Sequence, residues 1–71
     1  MAGIEELRMI RNRAQVRLEA ALAVEQEAAE SFRRDSRAYE AWRQAVEHTR
    51  DAERSLEAAE REYQEALAAG H

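Results

Sequence analysis

Five alanines fall one heptad apart in the second half of this chain: Ala38, Ala45, Ala52, Ala59 and Ala66. Trp42, Thr49, Leu56 and Tyr63 each follow one of them by four residues. A seven-residue repeat of this kind holds one stripe of a helix against a neighbouring helix over many turns. Alanine on that stripe lets the two backbones approach more closely than leucine would. The pattern predicts a helical packing surface, and nothing in it names what the surface packs against.

Composition supports the same fold class. The 71 residues include sixteen alanines, no proline, and glycine only at Gly3 and Gly70, so no strong helix breaker interrupts the interior. Large apolar residues are sparse, and a chain this short buries little surface when it folds alone. Self-association or a dedicated partner is the usual remedy, so a homo-oligomer or a subunit of a hetero-complex is expected. The absence of cysteine removes disulfides and thiolate metal sites and fits a reducing interior. No apolar run approaches the length of a signal-peptide core or a membrane span, and the expected location is the cytoplasm.

The first half carries its own helical spacing through Ile4, Leu7, Leu18 and the series Ala14, Ala21, Ala28, with Ile10, Leu22 and Val24 widening the stripe. Seven residues beyond Ala28 the series lands on Asp35, and the second series begins at Ala38, a slip of three. The slip coincides with Ser31-Phe32-Arg33-Arg34-Asp35-Ser36, where serine and aspartate oxygens can cap the start of a new helix. A turn is the simplest account; a stammer within one continuous helix is the alternative. The expected architecture is all-α: one domain over residues 1–71, a two-helix antiparallel hairpin with helix 4–31, turn 32–35 and helix 36–69. It is coiled-coil-like with an alanine-rich seam, and takes its place in a helical bundle through self-association or a partner.

Charge favours the antiparallel direction. Residues 5–17 are net basic, 19–30 acidic, 33–43 basic and 47–65 acidic. Folding back near residue 34 brings opposite signs together, whereas a parallel in-register pair sets like against like.

Residues with chemical potential have plainer roles available. Phe32, Tyr39 and Trp42 crowd the suspected turn, where they can anchor a partner or cap the end of the core. Arg8, Arg11, Arg13 and Arg17 could contact phosphates, and in size the chain resembles the Rop-type four-helix bundle, which implies an RNA-binding dimeric hairpin as the alternative reading. These arginines form two separate pairs around the helix, and a net charge of −4 opposes nucleic acid. Glu25, Glu53 and Glu60 approach core positions, but the Glu-x-x-His spacing of helical di-iron sites is missing, since Ala45 stands three residues before His48. His48 reads as a surface residue beside Asp51, and no nucleophile sits in a catalytic constellation. The polar faces are mixed to acidic, which opposes a membrane surface.

The expectation is therefore a non-enzymatic protein–protein interaction module without cofactor or metal: a helical adaptor, an assembly or chaperone subunit, or an inhibitor. It would pack an exposed alanine-rich stripe against another copy of itself or another helical protein. The residues expected to meet that partner are Phe32, Tyr39, Trp42, Leu56 and Tyr63, with Ala45, Ala52 and Ala59 allowing close approach.

Overall fold

The computed structural model describes residues 3–70; Met1, Ala2 and His71 lie outside the described residues. Helix α1 spans Ile4–Arg34, a short 3₁₀ turn covers Ser36–Ala38, and helix α2 spans Tyr39–Ala69. The two long helices pack side by side as an antiparallel hairpin, a rod of 54 × 15 × 13 Å. The described residues include no strand.

Local chemistry sets the ends of each helix. Gly3 is extended and precedes the acidic first turn of α1, Glu5 and Glu6, while Arg33 and Arg34 occupy its last turn. Both sets of charges complement the helix dipole. At the far end of α2, the Gly70 N–H bonds to the Ala66 carbonyl.

The reversal turns on one residue. Asp35 leaves the helical region for an extended conformation, φ −148° and ψ 111°, and is the hinge between the helices. Its N–H still closes α1 on the Ser31 carbonyl at 2.9 Å, and its own carbonyl accepts from the Ala38 N–H at 3.0 Å. Its carboxylate accepts from the Arg37 N–H at 3.0 Å and receives the Arg37 guanidinium, with Nη2 2.8 Å from Oδ2. Aspartate suits this place because its short side chain can replace the backbone bonds that the interrupted helix gives up. Helix α1 thus runs to Arg34, past the end expected at residue 31. Phe32 belongs to the helix instead of the turn, and one residue plus a 3₁₀ turn replaces the loop expected over 32–35. The slip in the alanine repeat is the turn itself.

The core is a seam of small side chains. On α2 the buried residues are Ala45, Thr49, Ala52 and Ala59, with Ala52 fully covered at 0 % exposure. On α1 the covered positions are Leu7, Arg11, Ala14, Leu18, Ala21, Glu25, Ala28 and Phe32, in alternating steps of four and three, with Ala29 beside them, and each is only half-buried. Longer side chains reach the rim of so narrow an interface, and the α1 alanines Ala14, Ala21 and Ala28 stay half-buried beside them.

Thr49 shows how near the helices come. Its hydroxyl lies 3.0 Å from the Ala45 carbonyl of its own helix and 3.3 Å from the Ala21 carbonyl across the seam. A hydroxyl one bond from Cβ reaches a carbonyl of the opposite helix only where the side chains between them are alanine-sized. At 3 % exposure, Thr49 is the one buried polar side chain among the described residues, and its hydroxyl is satisfied.

Candidate partner-binding surface

The aromatic residues gather where the sequence places them. The Phe32 ring stacks on Trp42 with centroids 5.5 Å apart and an interplanar angle of 20°, and meets the edge of Tyr39 at 5.4 Å. Tyr39 and Trp42 are 6.0 Å apart and tilted. Phe32 is contributed by α1 and the other two by the first turn of α2, so the cluster closes the turn end of the seam. Phe32 and Trp42 are half-buried, while Tyr39 stands exposed beside them.

The alanines are placed differently from the expectation of an exposed stripe. Ala45, Ala52 and Ala59 are covered by α1 of the same chain, so the alanine repeat is spent on the hairpin's own seam. Leu56 and Tyr63, on the same repeat, are half-buried. Leu56 floors a shallow groove of about 490 Å³ whose other walls are the polar Gln15, Glu57, Glu60, Arg61 and Gln64. Tyr63 lies beneath the Arg11 guanidinium, whose carbon is 5.0 Å from the ring centroid. That geometry is a cation–π contact, and it occupies one face of the ring.

Arg11 also makes the cross-helix ion pair, 3.6 Å from Glu60. Among the described residues it is the single pair between the helices; the others close within an element or across the turn. Arg8 pairs with Glu5, Arg34 with Glu30, Arg43 with both Glu40 and Glu47, and Arg54 with Asp51. The antiparallel order that the charge blocks favour is present, without a ladder of cross-helix bridges. Neighbours three or four residues away are nearer than the opposite helix, so most arginines pair there.

Three groups have shifted proton affinities, all through exposed ion pairing. The hydrogen bonds from the Arg37 side chain and backbone hold the Asp35 carboxyl below its usual 3.8, and the same pairing raises Arg37. Arg43 is raised by its hydrogen bond to Glu40 and by the charges of Glu40 and Glu47. None of the three lies in a cleft: Asp35 and Arg37 serve the turn, and Arg43 serves the outer face of α2.

No cluster of three or more His, Cys, Asp or Glu with metal-binding proximity occurs among the described residues. Of the glutamates near core positions, Glu60 pairs with Arg11 and accepts a hydrogen bond from the Gln64 amide, Glu25 is half-buried and Glu53 exposed. Neither described helix is long and apolar enough to cross a membrane.

A second apolar surface emerges on α1. Six of the seven exposed large apolar residues lie on this helix, and the three most exposed are Val16 at 64 %, Val24 at 56 % and Met9 at 51 %. At about 100° per residue, Met9, Val16, Ala20, Ala23 and Val24 share one stripe, about 145° around the helix from the seam. The stripe borders a groove of about 300 Å³ lined by Arg17, Ala20, Ala21 and Val24 of α1 with Ala45 and His48 of α2. None of these α1 residues was among the expected protein-partner contacts. The signal lay in two further heptad series, Met9–Val16–Ala23 and Ile10–Arg17–Val24, which merge in the sequence with the wide apolar stripe of the seam.

No protein-family model, curated protein or solved structure gives a match to this chain.

Proposed function

We propose that the hairpin is a non-enzymatic interaction module, which packs a helical face against another helical surface as an adaptor, assembly subunit or inhibitor. One observation carries the reading: the most exposed large apolar side chains, Val16, Val24 and Met9, line up on a single stripe of α1 that the hairpin leaves open. Scattered singly, such residues would be ordinary; aligned along a helix, they form the kind of face that a groove or another helix covers. The exposed ring of Tyr39 adds an aromatic at the turn end, suited to the rim of such a contact.

The test is a Val16→Glu, Val24→Glu double variant. Both positions are exposed, so helical content and melting of the dilute chain should stay near those of the parent. Association, with a second copy or with a helical protein captured from the native cell, should be lost. Retention of every parental association by the variant refutes the reading, as does a parent that associates with nothing. Raising salt separates it from phosphate recognition: apolar packing persists or strengthens, while binding to RNA weakens steeply.

A further inference from the structure

The open stripe on α1 has an internal order of charge and shape that selects its occupant. Read along the helix it runs Arg13, Val16, Arg17, Ala20, Ala23, Val24, Glu27, all within about 120° of arc at 100° per residue. Bases occupy its amino-terminal half, an acid its carboxy-terminal end, and alanine the middle. Val16 and Val24 stand four residues either side of Ala20, and Arg13 and Glu27 stand seven either side. A stripe with this arrangement is complementary to itself when reversed.

Resting on the interaction-module reading, we infer that the occupant is a second copy of this chain, its α1 docked antiparallel to the first about a two-fold axis at Ala20. The axis sets Ala20 against its own copy, where small side chains permit close approach. It brings Val16 level with Val24 of the second copy, and Arg13 level with the second copy's Glu27. The two hairpins then form a four-helix bundle through an isologous interface, the commonest way for identical chains to associate.

Two independent observations point the same way. Arg13, Arg17 and Glu27 take part in no ion pair among the described residues, although most of the chain's arginines are paired. The charges flanking the stripe are thus available for a partner. Second, the chain exposes 5558 Å² at 8.2 kDa, whereas a compact monomer of that mass exposes about 4,500 Å². The excess, on the order of 1,000 Å², is comparable with the roughly 800 Å² that each partner contributes to a standard interface.

Charge reversal tests the arrangement directly. By sedimentation equilibrium, the parent should dimerise between micromolar and millimolar concentration. Arg13→Glu and Glu27→Arg should each weaken the dimer by about tenfold or more, because each sets like charges together, and the double variant should restore most of the loss. An Ala20→Cys variant, in a chain with no cysteine of its own, should form an inter-chain disulfide readily, and Ala58→Cys on α2 should not. A parent that stays monomeric throughout overturns the inference. So does a dimer indifferent to both reversals, or one that cross-links equally at residue 58. The wider reading fails separately: it falls where the parent associates with nothing at all, or where Val16→Glu, Val24→Glu alters neither self-association nor the binding of a captured helical protein.

Discussion

Replacing Ala52 by leucine probes the closest approach of the two helices. Ala52 is fully covered and lies one turn from Thr49, whose hydroxyl spans 3.3 Å to the Ala21 carbonyl on α1. Leucine adds three carbons beyond Cβ with no void to receive them. Helix axes separate by 8–10 Å according to the side chains between them, so the substitution drives the pair apart by on the order of 1 Å or more. That displacement carries the Thr49 contact beyond hydrogen-bonding distance and loosens the cover over Ala45 and Ala59. Overpacking of this kind costs about 1–3 kcal/mol, partly offset where the helices can bow. For a domain of this size each kcal/mol corresponds to roughly 4–8 °C, so the melting temperature should fall by about 4–24 °C. Thermal unfolding followed by circular dichroism at 222 nm is the assay, at several dilutions so that association does not mask the effect. Ala58→Leu is the control, since Ala58 is exposed on the same helix and leucine is nearly as good a helix former. An Ala52→Leu variant within about 0.5 kcal/mol of the parent, or an equal loss in Ala58→Leu, would refute close packing at this level.

Thr49→Val keeps the side-chain shape and removes the hydroxyl shared between the Ala45 and Ala21 carbonyls. It should lower stability by about 0.5–1.5 kcal/mol, seen as a shifted urea midpoint with unchanged slope. Trp42→Ala removes the ring stacked on Phe32; the half-buried position places the loss at about 2–4 kcal/mol, with the tryptophan bands of the near-ultraviolet signal lost. Asp35 titrates with a definite sign. Its folded pKa lies below the usual 3.8, so its stabilisation is complete above that value and disappears as pH falls through the lowered one. Acid titration of the parent should therefore show a loss of stability below about pH 3.8 that is smaller in Asp35→Asn. Asp35→Ala, which lacks both cap and ion pair, should melt lower than either at neutral pH.

Much of the hairpin was legible because one pattern did two jobs. The alanine heptads marked the seam on both helices, and their slip between Ala28 and Ala38 marked the reversal. The end of α1 was less legible: Phe32, Arg33 and Arg34 contain no helix breaker, and the helix persists until Asp35 supplies substitute hydrogen bonds. Orientation was readable from the charge blocks, but the partners of individual arginines were not. Arg43 reaches Glu40 and Glu47 on its own helix with less ordering than a cross-helix bridge demands, and Arg11 crosses because it occupies a seam position beside Glu60. The outer stripe was hidden for a different reason. Alanine and valine surround most of α1, and only the placement of α2 against Leu7, Ala14 and Ala21 shows which of those residues are left uncovered.

The two helices divide their surfaces unequally, and this has a physical consequence. The outer face of α2 carries compact i, i+3 and i, i+4 pairs from Arg43 to Glu40 and Glu47, and from Arg54 to Asp51. Such a face is charged and well hydrated, and covering it would cost desolvation with little apolar gain. On α1 the balance reverses: Val16, Val24 and Met9 are exposed, while Arg13, Arg17 and Glu27 take no ion pair among the described residues. Covering that stripe removes apolar surface from water and gives free charges a partner at the rim, where little desolvation is needed. With a seam of alanines and half-buried longer side chains, the hairpin leaves apolar surface on α1 still to be buried. The side on which further burial would stabilise it most is α1, away from α2.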